Sequence, residues 1–124
     1  DRSGPLRVGN FASLNYGSAS RENAGGSYYG VFELSGNLWE RVVTVANASG
    51  QAFTGAHGDG ALDSNGRANV SGWPASTTAD GSGFRGGSWN TASTTARISD
   101  RSLATTTDTT RASDYGGRGV RTSP

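Results

Sequence analysis

The phenylalanines and tryptophans of this chain stand one at a time. Phe11, Phe32, Trp39, Phe53, Trp73, Phe84 and Trp89 are separated by stretches rich in Gly, Ser, Thr and Asn. No segment sustains a 3.6-residue apolar period of useful length, which argues against a helical bundle. Two options are left, disorder or a compact fold of turns and short strands. The spaced aromatic anchors favour the compact fold, because disordered segments are poor in such residues. Gly 20, Ser 17 and Thr 13 make up 50 of the 124 residues, so a single small domain, 1–124, with a thin apolar core is expected.

All 11 positive side chains are Arg, with no Lys. Arg makes planar, persistently charged contacts with carboxylates and carbonyls, so several arginines read as internal staples. A codon bias toward Arg explains the same composition equally well. The net charge is +1 and the arginines are scattered, so no basic stripe for nucleic acid is visible. Without Cys there is no disulfide, thiolate metal site or thiol nucleophile. No run approaches the roughly 20 apolar residues that span a bilayer as a helix. No signal peptide opens the chain, an appearance that a removed one would also leave. Met is missing even at position 1, which suits a processed product.

Strands are expected at 41–45, where Val42, Val43 and Val45 are β-branched, and at 84–89, 96–101 and 119–122. Residues 46–80 carry Asn-Gly, Asp-Gly and Gly-Trp-Pro punctuation, which predicts a long irregular excursion anchored by Phe53, Leu62, Val70 and Trp73. Within it, His57-Gly58-Asp59-Gly60 and Asp63-Ser64-Asn65-Gly66 read as turns, since neither has the spacing of a calcium loop. Residues 91–113 hold 12 Ser or Thr in 23, punctuated by Arg97, Ile98, Arg101 and Leu103.

The stretch Tyr28-Tyr29-Gly30-Val31-Phe32-Glu33-Leu34-Ser35-Gly36-Asn37-Leu38-Trp39-Glu40-Arg41 resembles the "YGLYDMSGNVWEW" signature of the formylglycine-generating enzyme, or sulfatase-modifying-factor, family. Gly83-Phe84-Arg85-Gly86-Gly87-Ser88-Trp89, then Arg97 and Arg101, then Gly117-Arg118-Gly119-Val120-Arg121 follow in that family's order of "RGGSW", paired arginines and "GFR". Leu6-Arg7-Val8-Gly9-Asn10-Phe11 is similar to its "PVGSFPPN" segment, with a longer loop 12–27 behind it. The resemblance covers nearly the whole chain and the C-terminal portion of the family domain. It implies an α+β, irregular C-type-lectin-like fold, mostly loops with short antiparallel strands.

Glu33 and Glu40 flank a glycine-containing turn. On two carboxylates alone, pairing of Glu40 with an arginine and a solvated Glu33 is the simpler expectation. The resemblance implies instead a structural calcium held by Glu33, Gly36, Leu38 and Glu40, from side chains and backbone carbonyls. Calcium takes six to eight such hard oxygens, with water completing the shell. Glu33 stands where the family has Asp or Asn.

The resemblance does not extend to catalysis. Formylglycine generation relies on two cysteines after "GGS" that bind copper, and Trp89-Asn90-Thr91-Ala92-Ser93-Thr94-Thr95 has no sulfur. The related iron-dependent sulfoxide synthases need several histidines, and His57 is alone. No nucleophile elbow positions a serine for hydrolysis. The expectation is a chain that is not an enzyme.

Two functional classes follow. The first is an extracellular or cell-surface ligand-binding or adhesion module, with Trp89, Asn90, Thr91, Ser93, Thr94 and Tyr115 on a contact face for a protein or glycan. An aromatic among short polar residues is the chemistry of antibody loops. The same scaffold carries the variable proteins of diversity-generating retroelements, and residues 91–115 loosely resemble their diversified segment; a low-complexity polar surface fits that stretch as well. The second class is a structural subunit of an extracellular fibre, self-assembled through strand pairing. Asn47-Ala48-Ser49 and Asn69-Val70-Ser71 match glycosylation sequons, patterns that recur by chance, and residues 105–110 offer Ser/Thr-linked sites by composition alone.

Overall fold

The computed structural model of the chain describes residues 4–7, 26–55, 61–67, 73 and 77–118. Its centre is a three-stranded sheet of order β2-β1-β3, formed by β1 (Trp39–Val43), β2 (Ser82–Arg85) and β3 (Tyr115–Gly116). Among the described residues helix is limited to one turn, α1 (Ala48–Gln51), and a 3₁₀ turn at Ser93–Ala96. The fold is therefore a small mixed α+β unit, mostly loops.

β1 pairs antiparallel with β2, placing Arg41 opposite Phe84, and parallel with β3, placing Trp39 opposite Tyr115. The parallel pairing corrects the expectation of antiparallel strands alone. β1 also begins and ends two residues earlier than its β-branched run suggests. Its start is set by distant partners, since the Trp39 N–H donates to the Asp114 carbonyl at 2.8 Å. Its end is set locally: the Ala46 N–H turns back to Thr44 Oγ1 at 3.1 Å, and Val45 is left 80% exposed.

β2 stops at Arg85, short of the expected 84–89, because Gly86 and Gly87 take positive φ of 97° and 74°. Such angles leave the strand region and suit glycine. No strand forms at 96–101. The chain there makes successive tight turns, Arg97 N–H to Thr94 O, Asp100 N–H to Arg97 O and Ala104 N–H to Arg101 O. Ile98 has no sheet to enter and is 89% exposed. The strand expected at 119–122 lies outside the described residues.

The described residues of the excursion after β1 are irregular, as its punctuation predicts, apart from α1. Asn47 caps that turn by accepting the Gly50 N–H at 2.8 Å. Phe53 and Trp73 meet edge to face at 6.2 Å, whereas Leu62 is 65% exposed. Val70 and residues 57–60 lie outside the described residues. Asp63-Ser64-Asn65-Gly66 is a turn, closed by Gly66 N–H to Asp63 O at 2.9 Å and by Asn65 N–H to Asp63 Oδ1 at 2.8 Å.

Among the described residues the buried apolar core is Trp39, Ala79, Phe84 and Ala104. Phe84 is its centre. Tyr115 packs against it with ring centroids 4.4 Å apart, and the Arg41 guanidinium lies 4.3 Å from its ring. No helix among the described residues is long and apolar enough to cross a membrane.

Candidate functional site

The turn before β1 enters the sheet through three left-handed residues, Glu33, Gly36 and Asn37, with φ of 57°, 78° and 62°. Asn tolerates that region better than most side chains, because its short amide can bond locally. Here the amide bonds at long range. Asn37 Oδ1 accepts the Leu6 N–H at 2.7 Å and its Nδ2 donates to the Leu6 carbonyl at 2.9 Å. The Gly36 N–H donates to Gly86 O at 2.5 Å and the Trp89 N–H to Asn37 O at 2.9 Å. One turn thus ties together the N-terminal segment, the end of β2 and the loop that follows it.

The four residues expected to hold calcium come together around this turn. Glu33, Gly36, Leu38 and Glu40 line one cleft of about 220 Å³, with Asn37, Gly117 and Arg118. Arg118 fills part of the role expected of a cation. Its Nε donates to Glu40 Oε1 at 2.9 Å, and one terminal nitrogen donates to both Glu40 Oε1 at 2.5 Å and the Glu33 carbonyl at 2.7 Å. The Glu40–Arg118 ion pair is half-buried. Its hydrogen bonds to Glu40 raise the Arg118 pKa further above its ordinary value. This realises the simpler expectation for Glu40, a carboxylate paired with an arginine. Among the described residues no three Asp, Glu or His side chains converge.

The expected contact face divides. Asn90, Thr91, Ser93 and Thr94 are exposed on the loop after β2, beside a half-buried Trp89. That loop is held from beneath: Thr91 Oγ1 accepts the Ser88 N–H at 3.0 Å and lies 2.9 Å from Thr95 Oγ1. Ser88 Oγ donates to Asp114 Oδ2 at 3.2 Å, and Trp89 Nε1 reaches the Ser113 carbonyl at 3.5 Å. Tyr115 is near in sequence to this brace, but its ring turns to Phe84. It lines a second cleft with Arg41, Thr110 and Arg111.

Other arginines act as the staples that composition suggests, mostly on carbonyls. Arg41 donates to Ser82 Oγ at 2.8 Å and to the Asp108 carbonyl. Arg85 and Arg101 both donate to the Ile98 carbonyl, at 2.5 and 2.8 Å. Sequence reasoning missed the Asn37–Leu6 clamp and the Arg41–Phe84–Tyr115 stack. An Asn directly after a glycine in a turn was a signal for the first; the second depends on strand register and had none.

Comparison with protein-family models, with curated proteins and with solved structures finds no match to this chain.

Proposed function

We propose that this chain is a non-catalytic extracellular or cell-surface recognition module, displaying polar loops on a scaffold related to the sulfatase-modifying-factor, C-type-lectin-like domains. The observation that carries the reading is the loop at 89–94. Its outward residues are exposed and short, while Ser88, Thr91 and Asp114 hold its base rigid through hydrogen bonds. Preorganised polar loops bind with less ordering cost than flexible ones. Cysteine-free composition supports the non-catalytic part, since copper-dependent thiol oxidation has no soft ligand here.

A fibre subunit built by strand addition has less to work with. β3 is two residues long, and the Phe84 N–H of β2 is already taken by the Leu103 carbonyl at 2.9 Å. Short or covered edges are poor templates.

The proposal includes a structural calcium held by Glu33, Gly36, Leu38 and Glu40. The ion would compete with Arg118 for the Glu40 carboxylate. Calcium then stabilises the fold by mass action, more strongly in Arg118→Gln than in the parent, and not in Glu40→Gln.

Arrays of extracellular proteins and glycans, probed with the purified chain, test the function. The expected result is a monomer that binds a defined ligand and loses it in Trp89→Ala. Large assemblies indifferent to Trp89, or copper-dependent oxidation of a peptide thiol, would overturn the reading.

A further inference from the structure

The second cleft, about 320 Å³, lies between β1–β2 and the segment leading into β3. Its aromatic lining is the half-buried Tyr115, backed by the buried Phe84; the two rings pack at 4.4 Å with their planes tilted by 35°. Two arginines, Arg41 and Arg111, also line it. The two arginines differ in a way that matters. Arg41 is half-buried and committed, stacked on Phe84 and donating to Ser82 Oγ and the Asp108 carbonyl. Arg111 is exposed and makes no hydrogen bond or ion pair among the described residues.

Among the described residues no carboxylate lines the cleft. Asp108 accepts the Thr110 N–H and the Thr110 hydroxyl, both at 2.8 Å, and does not line the cleft. What the cleft presents is therefore the partly exposed Tyr115 ring together with an uncommitted guanidinium. Flat aromatic faces take the C–H face of a ring, and a guanidinium takes a carboxylate through paired donors. The volume falls at the small end of ligand sites, room for one such ring.

We infer that the cleft bounded by Arg41, Phe84, Arg111 and Tyr115 binds a carboxylate-bearing sugar ring, a uronic-acid unit, with Arg111 taking the carboxylate and Tyr115 the ring. It rests on the recognition reading above, and names the ligand chemistry for Tyr115. Arg41 acts as a positioning residue, holding Phe84 and the Asp108 turn. The source of the ring is either a free uronic acid or a unit within an acidic polysaccharide.

Titration by NMR with glucuronate, a short oligogalacturonate, glucose and acetate separates these cases. Glucuronate should shift the Tyr115 and Arg111 signals saturably, with weak affinity on the order of millimolar for one small contact. Raising the salt should weaken it, since the Arg111 contact is exposed. Arg111→Gln, a surface change with no packing to lose, should weaken binding about five- to tenfold, and Arg111→Lys should restore part of it. Tighter binding of the oligomer than of glucuronate would assign the polysaccharide source, and equal binding the free acid.

Glucose or acetate binding as tightly as glucuronate would overturn the inference. So would an Arg111→Gln chain that binds unchanged, or no shift in the parent. Trp89→Ala serves as the control: loss of array binding there, with no uronate effect at Arg111, would sink this site and leave the recognition reading standing.

Discussion

Phe84→Ala should remove the point on which the sheet is assembled. The ring is 1% exposed and is the largest fully buried side chain among the described residues. Truncating a buried Phe to Ala usually costs about 3–5 kcal/mol, the lost transfer energy plus the cavity left behind. Two further contacts go with the ring, the Arg41 guanidinium at 4.3 Å and the Tyr115 ring at 4.4 Å. Both are of a kind worth about 0.5–2 kcal/mol each, which places this substitution in the upper half of that range. A domain's whole stability is about 5–15 kcal/mol, so the variant should sit close to unfolding. Urea denaturation followed by tryptophan fluorescence reads the loss, because Trp39 is only 3% exposed and packs in the same core. With a slope of about 1–3 kcal/mol per molar urea, a loss near 4 kcal/mol moves the midpoint by roughly 1.3–4 M. Phe84→Leu keeps much of the volume and should lose far less. A Phe84→Ala chain within about 1 kcal/mol of the parent, or one no worse than Phe84→Leu, would refute the picture of an aromatic hub.

Gly83→Ala should be destabilising by about 1–3 kcal/mol or more in the same unfolding assay, because the added Cβ would lie 2.1 Å from the Ala104 carbonyl oxygen. Asn37→Gly retains the left-handed turn but deletes both bonds to Leu6; faster amide exchange at Leu6 with the β1 amides still protected is expected. Arg118→Ala should cost about 1–2 kcal/mol after allowance for partial exposure, and a double-mutant cycle with Glu40→Gln should show coupling between the two. The Thr110 N–H, and then its hydroxyl, hold the Asp108 carboxyl below its ordinary value. The folded pKa being depressed, this contribution is present above the unfolded pKa and lost as pH falls through the folded one. Carbon-detected NMR should find that midpoint moved up in Thr110→Ala, which keeps only the backbone donor.

The scarcity of helix was legible from the chain alone, because isolated aromatics among glycines cannot make a helical stripe. The Asp63–Gly66 turn was legible for the same reason, its Asx and glycine chemistry being local. That some arginines would serve as internal staples was one of two readings of the composition; that Arg41, Arg85 and Arg101 do so on carbonyls came from the structure. Strand limits were not legible. Trp39 joins β1 through Tyr115, and Glu40 through both Gly116 and Arg85, whereas the run 96–101 is held out of the sheet by successive turns. Likewise the residues around Gly36 were picked out by their motif, yet only the three-dimensional arrangement places Arg118 on Glu40 and turns Tyr115 away from Trp89 toward Phe84. Residue type governs what a few neighbours can do through torsion angles and short-range hydrogen bonds. Pairing between segments tens of residues apart depends on the balance of the whole chain, and that balance chose the partners.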